Sequence, residues 1–323
     1  MQLEFNSIHL IIFSLISFII TFLIAKYSKF FFSGSLLDED FLKPQAFHEK
    51  PTARIGGLAI ILLFILFVVL YFFISGIFLK DYLTVTLSLF FLGFLDDLKI
   101  KINPNIRLLV MLIILLVCIN IFSIQINRSG LEFLDSWLEN NIFQIFFVLL
   151  CFLFVINGAN LIDGFNGLLA IHFLLINSIF LLVNLVSQNE TMIIVLFSQI
   201  VIVLSFLLFN FPKAKIFLGD SGSYLLGTLI VLNTLKTYEL NTSLSPFFFA
   251  GVLFYLFYEV FFSFIRKVIL KISPLKPDGK HLHMLLYSWL LSAKKIKKPN
   301  YLTSLLINLT YLSFQVPLFY FQN

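Results

Sequence analysis

Charge is scarce in this chain. Only 12% of its 323 residues are Asp, Glu, Lys or Arg, about half the share that soluble domains carry. Cysteine is scarcer still. Cys118 and Cys151 each stand alone inside an apolar run, which excludes a disulfide framework or a thiolate metal cage and reads as buried packing. The first apolar run has Glu4 and no basic residue in front, and no small-x-small site behind, so it does not read as a cleaved signal peptide. The net charge is a modest +5, and no nucleic-acid partner is expected. Hydrophobic residues fill the space at 60%, with 43 Phe and a mean hydropathy of +1.01. Such a chain belongs in a membrane.

A spanning helix needs about 20 mostly apolar residues. The sequence predicts ten: 8–24, 56–74, 82–95, 106–122, 142–156, 168–186, 192–209, 221–235, 247–265 and 302–321, the third, fifth and eighth being short. The expected fold is therefore all-α and polytopic, one integral-membrane domain over 1–323. Loop charge gives the orientation, because cytoplasmic loops are rich in Lys and Arg. With ten spans, all but three of the 22 basic residues fall on one side, the exceptions being Lys80, Arg128 and Lys236. That side reads as cytoplasmic, with both termini outside.

Every connection on the basic side carries a polar cluster, and none on the other side does. The first ends in His48-Glu49-Lys50-Pro51-Thr52-Ala53-Arg54-Ile55-Gly56-Gly57. Pro and Thr suit a helix start, and paired glycines allow close packing. The second carries Asp96-Asp97 at the end of an apolar segment. These are either solvated charges balanced by Lys99, or a metal or proton-transfer site in which one carboxylate raises the other's pKa. The third, 157–168, holds Asn157, Asn160, Asp163 and Asn166 with three glycines and no Lys or Arg. A plain turn needs less polar equipment, and glycines let backbone amides approach an anion.

The fourth connection holds Asn210, Lys213, Lys215, Phe217 and Gly219-Asp220-Ser221. Asp220 or Ser221 could cap the following helix, or Asp220 could serve as a hard ligand for Mg²⁺ with a bound phosphate. The fifth holds Lys280-His281-Leu282-His283 beside a basic Pro/Gly turn, a weak phosphate-binding signal. Residues 283–291 read as an amphipathic segment lying on the membrane, and Lys294–Lys298 would favour anionic lipid.

In order and on one side, these five motifs resemble the polyprenyl-phosphate N-acetylhexosamine-1-phosphate transferases. That family includes the undecaprenyl-phosphate GlcNAc-1-phosphate transferases and the phospho-N-acetylmuramoyl-pentapeptide transferases. The resemblance covers nearly the whole chain and implies about ten spans with a cytoplasmic active-site cleft. It implies that Asp96 or Asp97 is the base, Asp96 being favoured. It implies that Asp220 holds Mg²⁺ (Mn²⁺ as a substitute), with Asn160 as a second oxygen ligand. Phe217 would stack on uracil and Asn210 would touch the uridine. Lys50, Arg54, Lys280, His281 and His283 would face phosphates, and Asn157, Asp163 and Asn166 would line the substrate. A homodimer is a further expectation.

Three positions depart from the family. Asn166 and Met284 stand where many bacterial relatives carry Asp and His. Glu259 stands where Asp is common, and reads equally as a helix-end charge near Arg266. His-x-His resembles the GlcNAc branch, so the implied reaction joins a UDP-N-acetylhexosamine to undecaprenyl or another polyprenyl phosphate, releases UMP and starts a surface polysaccharide. The alternatives are muramoyl-pentapeptide transfer in peptidoglycan synthesis and, given polar Asn120, His172, Asn177 and Gln199, a transporter or flippase.

Overall fold

The computed structural model describes residues 7–39, 51–100, 102–273, 279–292 and 299–318, without the side chains of 33 and 318. Helices dominate. In chain order they are α1 (Ser7–Tyr27), α2 (Gly56–Ser75), α3 (Lys80–Asp97), α4 (Pro104–Ile121), α5 (Glu132–Leu138), α6 (Asn141–Ile162) and α7 (Leu168–Val186). There follow α8 (Glu190–Asn210), α9 (Gly219–Leu240), α10 (Pro246–Val252), α11 (Phe254–Ile269), α12 (Leu282–Ser292) and α13 (Asn300–Leu318). Local signals set several ends. Asn103 accepts the N–H of Asn105 and Pro104 opens α4, Asn140 caps α6, and Ser245 with Pro246 starts α10.

Nine of the ten expected spans fall on single helices as far as the described residues reach, and the one over 247–265 falls on two. Among the described residues, six helices (α1, α2, α4, α6, α7 and α8) are long and apolar enough to cross a membrane, and the pair α10–α11, bent by 68°, makes a seventh if counted as one span. The span expected over 247–265 is thus broken. α3 fails on its four charged residues. α9 fails because Ser, Thr, Gly and Asn dilute its apolar residues, yet all of residues 221–234 are buried. It is the bundle's central helix, packed by α2, α3, α6 and α7, so other helices rather than solvent or lipid cover its polar groups.

Glycines set how closely those neighbours approach. A Cβ on Gly57 of α2 would lie 2.4 Å from the backbone nitrogen of Gly222, and one on Gly93 of α3 would lie 2.5 Å from the carbonyl oxygen of Asp220. Deeper in the bundle, Asn177, Gln199 and Asn233 exchange amide hydrogen bonds. The Tyr82 hydroxyl donates to Asn233 Oδ1 at 3.0 Å. His172 is bonded to Asn308 at 3.2 Å, and the exposed Asn120 turns back onto its own helix. Three of the four polar residues that suit a transporter, His172, Asn177 and Gln199, are therefore hydrogen-bonded to other side chains inside the core.

The all-α expectation includes no strands, but three short ones form a sheet of order β1–β2–β3: β1 (Leu37–Asp38), β2 (Thr52–Arg54) and β3 (Ile216–Phe217). β1 and β2 are antiparallel, while β2 and β3 are parallel with Arg54 opposite Phe217. Thr52 is therefore extended, and α2 starts at Gly56 instead. The sheet holds the segment before α2 against the segment before α9.

Candidate active site

The end of α3, the starts of α4 and α9, and the end of α6 meet at one end of the bundle. Asp96 and Asp97 lie past the apolar stretch of α3. Their side chains have different fates. Asp97 is fully buried and accepts the backbone N–H groups of Asp220 and Ser221, each at 2.9 Å. Asp96 is 12% exposed and forms a short ion pair with Arg107 of α4. The same Arg107 nitrogen lies 3.7 Å from Asp220 Oδ2, and the Asp220 side chain is 30% exposed. Neither Asp220 nor Ser221 caps its helix; Leu218 stands at the cap position with no side-chain bond.

Asn160, near the end of α6, donates to Asp220 Oδ1 at 3.1 Å and to the Ser223 hydroxyl at 2.9 Å. Arg54 is bonded to Asp38 through Nε at 3.0 Å and Nη2 at 2.6 Å, and its Nη1 lies 3.9 Å from Asp97. Asp163 follows the last residue of α6. It lies within the fields of Asp220, Asp97 and Arg54.

The electrostatics are crowded with acid. Burial and then the charge of Asp220 push Asp163 up to about 8 and Asp97 up to about 7. Burial also raises Asp96, against the lowering effect of Arg107. Arg54 is held above its usual range by Asp220 and Asp38, which outweigh its own desolvation. The carboxylates of Asp96 and Asp220 flank the Arg107 guanidinium, and the Asn160 amide is bonded to Asp220; oxygen groups of this kind suit a hard divalent cation with open positions for phosphate and water. Among the described residues, no three Asp, Glu, His or Cys side chains are grouped so that they could hold a metal ion by themselves.

A second cluster stands beside the first. Glu259 of α11 is fully buried, as are His281 and His283. Its carboxylate meets Nδ1 of His281 at 3.0 Å and Nδ1 of His283 at 3.3 Å. It also accepts the Leu282 N–H at 3.2 Å and the Tyr255 hydroxyl at 3.1 Å. One carboxylate thus orients both imidazoles and leaves their Nε2 atoms for other partners. The His283 Nε2 is buried without a hydrogen bond, 3.5 Å from where a Cβ on Gly164 would sit. That contact brings the histidine loop to the residue after Asp163. Burial lowers the pKa of His283 despite Glu259.

The remaining residues singled out in the sequence are placed less directly. Asn210 is buried, and its amide joins the Gly167 N–H to the Ile216 carbonyl, so it braces the loop ahead of Phe217. Asn166 is bonded through its side chain to the Pro212 carbonyl and through its N–H to Asn300. Asn157 turns back onto Leu153 of its own helix. Phe217 lies half-buried in β3. Lys280 is exposed, with its carbonyl held by Arg266. Lys50 lies outside the described residues. Arg107, Asp38 and the clamp role of Glu259 are not legible in the sequence: Arg107 stands there only as one more basic loop residue, and nothing local marks Asp38.

An apolar bundle with acids, guanidinium groups and imidazoles gathered at one end defines an integral membrane protein with one concentrated polar site. The chain belongs to glycosyl transferase family 4. The model of that family matches residues 79–238, which hold Asp96, Arg107, Asn160, Asp163 and Asp220 but not Arg54, Glu259, His281 or His283. An undecaprenyl-phosphate alpha-N-acetylglucosaminyl 1-phosphate transferase of Thermotoga maritima is 29% identical over 264 residues, 78% of this chain and 77% of the relative. A probable undecaprenyl-phosphate N-acetylglucosaminyl 1-phosphate transferase of Bacillus subtilis is 31% identical over 76% of this chain and 68% of its own length. A phospho-N-acetylmuramoyl-pentapeptide-transferase of Streptococcus gordonii is 32% identical over 66% and 68%.

Proposed function

We propose that this protein transfers N-acetylhexosamine-1-phosphate from a UDP-sugar to undecaprenyl or another polyprenyl phosphate, with release of UMP. The observation that carries the reading is the convergence of Asp96, Arg107, Asn160 and Asp220 at one end of a membrane bundle. The GlcNAc-1-phosphate transferases among its relatives support it. In this reading the site faces the cytoplasm of a bacterial inner membrane. α3, α9 and α13 complete ten spans with both termini outside, because helices need not all be lipid-compatible when their neighbours enclose them.

The lipid phosphate approaches from the bilayer to lie between Arg107 and Asp96. Arg107 holds its oxygens, and Asp96 keeps it deprotonated. A phosphate oxygen attacks the β-phosphorus of the donor. A new P–O–P linkage to the lipid forms, the bond between the β-phosphorus and the bridging oxygen breaks, and UMP leaves with that oxygen. Asp220 and Asn160 would hold a Mg²⁺ or Mn²⁺ ion, which when bound would neutralise the donor diphosphate. His281 and His283, aimed by Glu259, would meet the same diphosphate from the far side, and Phe217 would stack on the uracil.

The test is a donor panel with detergent-purified protein, undecaprenyl phosphate and Mg²⁺. Transfer from UDP-GlcNAc or a related UDP-N-acetylhexosamine is the expected result. Transfer only from the UDP-muramoyl-pentapeptide would move the protein to peptidoglycan synthesis. UMP exchange without lipid acceptor would replace direct displacement by a covalent enzyme intermediate.

A further inference from the structure

The two adjacent aspartates do different jobs: we infer that Asp97 is a positioning residue that seats the first turn of α9 and so aims Asp220, leaving proton handling to Asp96. The first N–H groups of a helix need partners, and a side chain at the cap position usually supplies one. α9 begins after Leu218, which has no side chain able to do this. Asp97, more than 120 residues away in sequence, takes the place of the missing cap. Its two oxygens accept the N–H groups of Asp220 and Ser221, one each.

The fit around this contact is tight. Gly219 adopts φ +79°, and a Cβ there would lie 2.6 Å from Asp97 Oδ2. Gly93, one turn before Asp97 in α3, brings its Cα against the Asp220 carbonyl, where a Cβ would lie at 2.5 Å. Gly57 presses on the same turn from α2, and its N–H donates to the Leu218 carbonyl at 2.9 Å. The turn that carries Asp220 is thus fixed from two helices by backbone contacts and one carboxylate. Exposure divides the two aspartates the same way: the Asp97 side chain is at 0% and that of Asp96 at 12%. A group with both oxygens occupied by backbone N–H and no open face cannot touch a lipid phosphate.

This inference rests on the reading that Asp220 binds the divalent ion, so the first readout is metal binding without substrate. Mn²⁺ binding is measured by electron paramagnetic resonance on the wild type, on the isosteric Asp97→Asn, and on Gly219→Ala, which presses a methyl into the contact while leaving every carboxylate in place. Metal-dependent transfer and its pH profile follow on the same proteins. Both variants are expected to bind Mn²⁺ about tenfold more weakly, as when a group supporting a metal ligand is removed. Asp97→Asn should keep residual turnover at saturating Mg²⁺ with the wild-type pH profile. Wild-type Mn²⁺ affinity in either variant would overturn the inference, as would Asp97→Asn lacking turnover at every Mg²⁺ concentration while binding Mn²⁺ normally. Absence of Mn²⁺ binding in the wild type would instead defeat the reading of Asp220.

Discussion

Asn160 Nδ2 lies 3.1 Å from Asp220 Oδ1, joining the end of α6 to the start of α9 across 60 residues of sequence. The same amide is held by Ser223 Oγ at 2.9 Å. A hydrogen bond to a charged carboxylate contributes about 1.5–3 kcal/mol. Asn160→Ala should therefore lower kcat/KM by about ten- to a hundredfold and raise the Mg²⁺ needed for half-activation. Steady-state kinetics against Mg²⁺ checks this, and an unchanged metal requirement would separate Asn160 from the ion.

Arg107 bridges Asp96 and Asp220 through one nitrogen. Removing a cation that faces developing phosphate charge costs about 10²–10³ in turnover. Arg107→Ala should lose about that much, and Arg107→Lys should recover part of it as a point charge without the planar fork. Equal loss in both would assign the residue to fold stability, which thermal unfolding of the two variants would report.

Glu259 touches both histidine rings and the Leu282 N–H. In Glu259→Gln the amide end cannot accept from both imidazoles, so one ring loses its partner. The expected effect is about ten- to a hundredfold on kcat/KM, expressed mainly in the KM for the UDP-sugar, because the proposed reaction sets the histidines against the donor diphosphate. A change confined to the KM for the lipid would place them elsewhere.

Stability of the metal-free protein should depend on pH through Asp163. Its folded pKa, pushed up to about 8 by burial and by Asp220, exceeds the ordinary carboxylate value near 4. Its contribution is complete below that ordinary value and is lost as pH rises towards about 8. Thermal unfolding in detergent with a chelator should fall over this window. Asp163→Asn should flatten the decline, and Mg²⁺ should reduce it by compensating the crowded acids. A wild-type slope in Asp163→Asn would contradict the assignment.

Much of this was legible because a bilayer makes sequence simple. Long apolar runs fixed the helices, and rare polar residues at their ends marked the site. What was hidden depended on distant pairing. Asp97 reads in the sequence only as one of two candidate bases, and its bonds to the Asp220 and Ser221 N–H groups appear only in the fold. Asp38 gains meaning only through Arg54, and Glu259 only through the histidines of the following loop. The sheet escaped because strands of two or three residues have no periodicity to read. The break between α10 and α11 escaped because its flanks are equally apolar.

In the proposed reaction a sugar phosphate, not a sugar, moves, and Asp220 is required for it. UDP-N-acetylglucosamine labelled at the α- or the β-phosphorus separates the two, using detergent-purified protein, undecaprenyl phosphate and Mg²⁺. Sugar-1-phosphate transfer at Asp220 requires β-label in the lipid and α-label in UMP in equal amounts, both lost with EDTA and in Asp220→Ala. Retention of both labels in UDP while the sugar reaches the lipid, or undiminished transfer in Asp220→Ala, would contradict it.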